Sequence, residues 1–293
     1  MVERNKTFQI VTNIIMILLC LFCVLPLWLL IASSMTNEQV LIKNGYSLIP
    51  REIDLSAYKY ILVDSTQLLR GYIISICVTV VGTLANLTLT TLFAYPLFRK
   101  DLPGRKWIAF FLFFTMLFNG GLVPSYIMWT QVFHIKNTYA ALIIPNLLMS
   151  AFNVIMMRTF FTTNIPEEVL DAARIDGAGE GKILVRIVLP MSQSILSTLA
   201  LLVGLGYWND WQNGLYYINK DKYYSIQVLL NKMLLDTQFL MSSASQGLNV
   251  DTSQLPSTGI KMAIAVMGIL PVLVVYPFLQ KYFAEGITLG AVK

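Results

Sequence analysis

The sequence predicts an all-α polytopic membrane protein with six transmembrane helices, and three observations carry that prediction. First, 56% of the 293 residues are hydrophobic and only 13% are charged, about half the roughly 25% charged share of soluble domains. Second, six windows contain no Asp, Glu, Lys or Arg and reach the length of about 20 residues that a bilayer span needs. Third, basic residues are unevenly shared between the connecting segments. With the N-terminus inside, segments 1–7, 99–106, 158–186 and 281–293 hold 12 of the 21 basic residues, although the outer segments are longer in total. That bias places both termini in the cytoplasm. The net charge of +5 is therefore a topology signal, and no contiguous basic face suits nucleic acid. Such a composition excludes a disulfide scaffold, a disordered chain and an ordinary cytosolic enzyme.

The elements follow in order along a single transmembrane domain, 1–293. Thr7–Asn37 holds an apolar core longer than the 7–15 residues of a cleavable signal, so it reads as an uncleaved helix over about 8–34. Gly71–Phe98 gives a helix over 71–98. Trp107–Ile135 gives one over about 107–130, but Asn119-Gly120-Gly121 and Pro124 are expected to end or break it near Asn119. The stretch 119–137 then becomes a short dipping segment. Asn137–Met157 reads as a helix over 138–157, Ile187–Asn209 as one over 190–211, and Met262–Gln280 as one over 260–281. Pro26, Pro96, Pro145, Pro271 and Pro277 lie inside these windows, where neighbouring helices can satisfy the freed carbonyls. The outer loop 216–259 exceeds the roughly 12–15 residues of ordinary loops. Within it Ile226, Leu229, Leu230, Met233 and Leu234 recur at helical spacing, and the small polar run Ser242-Ser243-Ala244-Ser245-Gln246-Gly247 follows.

Polar chemistry is sparse. His134 is the single histidine and reads as a surface residue outside the membrane. Cys20 and Cys23 form a CxxC, but no second pair or nearby His completes a metal site. With Cys77 they read as small apolar side chains. Gly177-Ala178-Gly179-Glu180-Gly181-Lys182-Ile183 imitates a P-loop, yet only three residues separate Gly177 from the Gly-Lys pair and Ile183 offers no hydroxyl to Mg²⁺. No catalytic, metal or nucleotide site is expected on this chain.

The informative stretch is 164–189. Pro166 suits a first helical turn, and Glu167 and Glu168 follow where the helix dipole favours acids. Val169, Ala172, Ala173 and Asp176 are expected on one face, thin enough for another backbone to approach. Gly177 is the natural stop. A second short helix is expected over about 180–187, and Pro190 should open the fifth span. Residues 165–177 carry four acids and one base, unlike the Lys/Arg-rich helix that rests on lipid, so a protein partner is expected.

The pattern Asp171-Ala172-Ala173, three residues, Gly177, nine residues, Ile187, one residue, Leu189-Pro190 resembles the EAA loop of ABC importer permeases, with Asp171 in place of the usual Glu. The resemblance extends through Gly120-Gly121-Leu122-Val123-Pro124, Asn137-Thr138, Phe152-Asn153, Trp208-Asn209-Asp210-Trp211 and the tail Gly286–Lys293. Together these look like the maltose-type, MalG-like carbohydrate permeases, closest to the branch for complex plant-polysaccharide oligosaccharides. What the resemblance implies is a permease subunit in the bacterial cytoplasmic membrane. It would pair with a second, different permease on two ATPase subunits that bind ATP and Mg²⁺. An extracytoplasmic solute-binding protein would deliver the oligosaccharide, and the EAA loop would couple to the ATPase. The tail would reach between the ATPase subunits, and Ser242, Ser243, Ser245 and Gln246 would enter the binding protein's cleft.

Two polar stripes could face a sugar pathway: Ser75, Thr79, Thr83, Asn86 and Thr90 on the second helix, and Asn146, Ser150 and Asn153 on the fourth. Hydrogen bonding between helices is the other reading of both. Trp208, Asn209, Asp210 and Trp211 end the fifth helix where aromatic residues commonly anchor at headgroups, and a pathway or gate role stands beside that. Three rival functions are an ion-driven secondary sugar carrier, a membrane-embedded enzyme, for which one His and no cluster of acids or paired Cys leave no constellation, and an ABC permease for a non-sugar solute. The carrier is disfavoured because none of the windows holds an ionisable residue at bilayer depth.

Overall fold

A computed structural model of the chain describes residues 6–245 and 257–291. Among these, the regular structure is helical, with a single isolated bridge between Thr36 and Ile53. The chain resolves into two compact units, 1–68 with 230–271, and 69–229 with 272–293.

In the first unit, α1 (Lys6–Ser34) is apolar on every face. From Phe8 to Trp28 its large side chains are exposed in the isolated chain, and such a helix needs lipid or protein around it. Two short helices follow, α2 (Glu38–Asn44) and α3 (Ser56–Ile61). The Ser34 and Tyr58 hydroxyls lie 2.7 Å apart. Glu38 accepts from the backbone N–H groups of Thr258 and Gly259 at 3.0 and 2.9 Å, so its carboxylate satisfies orphan donors at the start of α15 (Ser257–Ala291), where the helix dipole favours negative charge.

The second unit contains most of α4 (Ser65–Phe98), and then α5 (Arg105–Leu117) and α6 (Leu122–Ile127), which runs into a π-helical turn, Met128–Val132. The axes of α5 and the 122–132 segment are bent by 112°. The stretch 107–130 is thus two helices, divided next to Asn119, where the sequence predicts an end or a break. The Asn119 side chain accepts from Gly121 N–H at 2.8 Å and Gly121 takes φ +87, so the local backbone bonds with a side chain instead of continuing the helix. The dipping stretch is helical over 122–132.

The helix expected over 138–157 is likewise replaced by α7 (Ala140–Ile143) and α8 (Ala151–Asn164). Pro145 supplies no N–H and Asn146 sits at φ +62, which interrupts the ladder. Asn146 is therefore off any helix and does not share a helical face with Ser150 and Asn153.

The next elements are α9 (Glu167–Ile175), α10 (Glu180–Ile183) with a π turn at Leu184–Val188, α11 (Leu189–Met191) and α12 (Gln193–Trp208). Segment 180–191 meets α12 at 81°. Pro190 thus lies before the bend, inside α11, and the long helix opens at Gln193. After α13 (Gln212–Tyr217) comes α14 (Ile226–Ser245), which is longer than its apolar spacing suggests. Ser242, Ser243 and Ser245 lie on its helical backbone, whereas Gln246 and Gly247 fall outside the described residues. The tail from Gly286 to Ala291 continues α15.

By length and composition, two helices among the described residues can cross a membrane, or four if each bent pair is one span, and Thr258–Val274 forms a shorter apolar helix. The second unit holds two apolar cores. One joins Ala94, Tyr95, Leu97 and Phe98 to Val154, Met157, Phe161, Ile183, Val188 and Leu199. The other joins Ile74, Val78, Ala141, Leu142, Val203, Tyr207, Tyr217 and Leu229.

Candidate functional site

Helix α9 is built by local signals. Ile165 and Leu170, both buried in the first core, clip its entry like a hydrophobic staple around Pro166. Glu167 and Glu168 occupy its first turn and Arg174 its last, each complementing the dipole. At the far end Ala178 N–H donates to the Ala173 carbonyl at 2.9 Å and Gly177 N–H to the Arg174 carbonyl at 3.0 Å, the paired bonds of a Schellman stop. Gly177 adopts φ +77 with open space where a Cβ would stand, so its requirement is conformational.

The buried side of α9 differs from the expected thin face. Leu170 and Ala173, 3% and 9% exposed, point into the chain's own core, whereas Val169, Ala172 and Asp176 are exposed. Ala173 is therefore a packing residue. The outward surface presents Asp171, Ala172 and, unanticipated, Ile175 at 86% exposure. An apolar residue that bare, beside an acid and a small residue, suits a partner's groove. Ile187 and Leu189 are half-buried against the first core and Pro190 is exposed.

Charge ties this segment to the end of α4. Lys100 Nζ donates to Glu167 Oε2 at 2.9 Å. Arg174 donates to Asp171 Oδ1 at 2.8 Å and to Glu180 Oε1 at 3.3 Å. Glu180 also pairs with Arg99 and accepts from the Tyr95 hydroxyl, and Arg99 donates in turn to Asp101. Partial burial pushes the Glu180 carboxyl up, but the bonds from Tyr95, Arg99 and Arg174 outweigh it and hold the group below its ordinary value. In the sequence Glu180 stands in a false P-loop and at the start of the expected second short helix, and neither position names its partners. Its role depends on contacts 6 to 85 residues away, which no local pattern encodes.

A second polar arrangement holds the broken stretch 144–150. Asn86 Nδ2 donates to the Leu147 carbonyl at 2.7 Å, Asn213 Nδ2 to the Pro145 carbonyl at 3.0 Å and the Tyr207 hydroxyl to the Ile143 carbonyl at 2.9 Å. Three carbonyls at the break are thus paired by side chains from α4, α12 and α13, as buried backbone groups require. Thr90 donates to Asn86 Oδ1 at 3.1 Å and orients it. Gly82 lets the Tyr207 ring lie against α4, since a Cβ there would come within 2.5 Å of the ring. Among the stripe residues of α4, Ser75 accepts from Ile226 N–H at 2.9 Å. The Thr79 and Thr83 hydroxyls are buried without a protein partner.

The residues expected at a pathway do not form one cluster. Trp208 is buried, its ring 6.5 Å from that of Tyr72. Asp210 accepts from Asn213 N–H at 3.2 Å at the start of α13, Asn209 is exposed, and Trp211 precedes α13 with 37% exposure. Asn153 is half-buried on α8.

Comparison with known proteins accounts for this architecture. Residues 2–289 match the family described as "Binding-protein-dependent transport system inner membrane component". The polygalacturonan/rhamnogalacturonan transport system permease protein YtcP of Bacillus subtilis is 37% identical over 99% of both chains. Protein LplC of the same organism is 37% identical over 92% of this chain and 89% of its own. Among solved structures, a chain of a bacterial ABC transporter involved in import of the acidic polysaccharide alginate superposes with a TM-score of 0.79 at 27% identity, covering 97% of this chain and 99% of that one. The chain belongs to the family of binding-protein-dependent transport system inner membrane components.

Proposed function

We propose that this chain is one of two different permease subunits in an oligosaccharide importer, and that a separate ATPase drives it through segment 164–189. The observation that carries this reading is α9: a short helix stopped by a left-handed glycine, floored by Leu170 and Ala173, offering Asp171, Ala172 and Ile175 outward. Six spans are assigned to α1, α4, α5 with the 122–132 segment, α7 with α8, α12 and α15, with both termini cytoplasmic. That orientation puts α9 on the ATPase side and the segments around α13 and α14 on the side of the solute-binding protein. Gln193–Trp208 is the fifth span and 180–191 belongs to the coupling segment. Asn153 and the Trp208–Trp211 segment remain candidates for the sugar pathway, and Ser242, Ser243, Ser245 and Gln246 for the binding-protein contact.

The names of the relatives favour acidic oligosaccharides as the first substrates to test. The experiment co-expresses the chain with its partner permease and ATPase, reconstitutes them in liposomes and follows uptake of a labelled galacturonide trisaccharide. Uptake requiring ATP and the binding protein, with the ATPase retained on the purified permease, is expected. Uptake driven by an ion gradient without ATP overturns the reading.

A further inference from the structure

Helix α9 has covalent connections to α8 through Ile165–Pro166 and to α12 through residues 176–192, and none to α4. Its link to α4 is made by packing, by the exposed Lys100–Glu167 pair and by one partly buried carboxylate. Glu180 receives the Tyr95 hydroxyl from the last turn of α4, the Arg99 guanidinium just beyond it, and Arg174 Nε from the end of α9 at 3.3 Å. Asp171 and Asp101 hold the far sides of the two arginines. Beneath the cluster lies an apolar floor of Phe98, Leu170, Ala173, Ile183 and Leu184.

The two kinds of contact restrain motion differently. Apolar burial is non-directional, so the floor alone lets α9 slide against α4. A carboxylate held by charged donors from separate segments fixes direction as well as distance. Side-chain exposures of 20%, 36% and 43% for Arg99, Arg174 and Glu180 place the cluster partly out of water, where such bonds are less screened. Helix α4 in turn carries Asn86, which holds the Leu147 carbonyl of the broken stretch, and Ser75, which accepts from the start of α14. A displacement of α4 therefore reaches both.

We propose that Glu180 is a positioning residue that locks the coupling helix α9 to the second long helix α4, so that movement imposed on α9 by the ATPase is delivered to α4. The proposal rests on the importer reading above. Without the lock, α9 follows the ATPase while α4 lags, and hydrolysis proceeds with little transport.

The test uses the complete reconstituted importer with loaded binding protein and measures galacturonide taken up per ATP hydrolysed. Glu180→Gln retains size and loses the charge; Glu180→Asp retains the charge; Tyr95→Phe keeps the buried ring and removes one donor; Lys100→Ala breaks only the exposed Lys100–Glu167 pair. Expected are a ratio lowered by about fivefold or more in Glu180→Gln, the lower bound of typical coupling effects, with normal recovery of ATPase on the purified permease. Glu180→Asp should restore most of the ratio, Tyr95→Phe should lower it in the same direction, and Lys100→Ala should leave it unchanged. An unchanged ratio in Glu180→Gln overturns the proposal. If Glu180→Gln does not assemble, Tyr95→Phe decides, and an unchanged ratio there overturns it. A loss of uptake and hydrolysis in equal proportion also overturns it, since that is the signature of a merely structural residue. If the unsubstituted complex retains no ATPase, the importer reading itself fails, and the proposal with it.

Discussion

The turn at 165–191 and the break at 144–150 both depart from regular membrane helix, and they solve the same problem with different chemistry. At 165–191 the orphan groups and charges are handled by caps and ion pairs: a Schellman stop at Gly177, acids in the first turn of α9, and Glu180 among Tyr95, Arg99 and Arg174. At 144–150 no charge takes part. Neutral amides and a phenol, Asn86, Asn213 and Tyr207, donate to three carbonyls from distant helices. The difference follows from the surroundings. Ions are tolerable where solvent reaches them, as the exposures around Glu180 show, whereas a charge inside an apolar core costs far more than a paired amide.

The first way to sharpen this comparison is to overfill the floor of the turn. Ala173→Trp inserts an indole into a site 9% exposed, so the expected destabilisation reaches or exceeds the ~3 kcal/mol at the top of the range for overpacked cores. It is read as lost yield of folded permease in detergent. Ala172→Trp, one residue away on the exposed side, should leave that yield intact and reduce recovery of the ATPase. Equal loss of folded permease in both variants would show that the outward face of α9 is also packed by the chain itself.

Removing a donor from the break comes next. Asn213→Leu strands the Pro145 carbonyl and Asn86→Leu the Leu147 carbonyl, each at about 1–3 kcal/mol for a buried group left unpaired. Both should lower the midpoint of thermal unfolding in detergent. Asn213→Asp should do no better than Leu, because a carboxylate cannot donate to a carbonyl. An unchanged midpoint in both Leu variants would mean that the break is held by packing alone.

The smallest effect is expected at the helix stop. Gly177→Val forces a β-branched residue to φ +77 with no steric neighbour, costing roughly 1–2 kcal/mol from backbone conformation alone. Folded permease should form, and uptake per ATP should fall because α10 is re-aimed. Wild-type uptake in Gly177→Val would remove the left-handed stop from the coupling argument.

Legibility in the sequence divided along the same line. The turn was readable because its signals are local. Pro166, the two acids, Gly177 and the Asp171–Pro190 spacing lie within 25 residues and specify start, stop and surface. Its orientation is not legible, since alanine is equally at home on an exposed or a buried face and periodicity does not say which side meets the core. The break was readable only in part. Pro145 marks a possible interruption, but charge-free composition runs unbroken through 138–157 and predicts one helix where there are two. The partners that make the break tolerable sit 61 to 68 residues away, and neither Asn213 nor Tyr207 belongs to a motif with residues 143–147.

By itself, then, the sequence determined the environment and the family: too few charges to cover a soluble surface, apolar windows of bilayer length, and a helix–glycine–helix segment at a fixed spacing. These properties sum over residues or act within a few turns. Tertiary structure alone decided the break inside 138–157, which side of α9 is buried, and which carboxylate gathers Tyr95, Arg99 and Arg174. Those outcomes depend on pairing a donor with an acceptor far away in the chain, and the free energy of such a pair exists only once packing has brought both ends together.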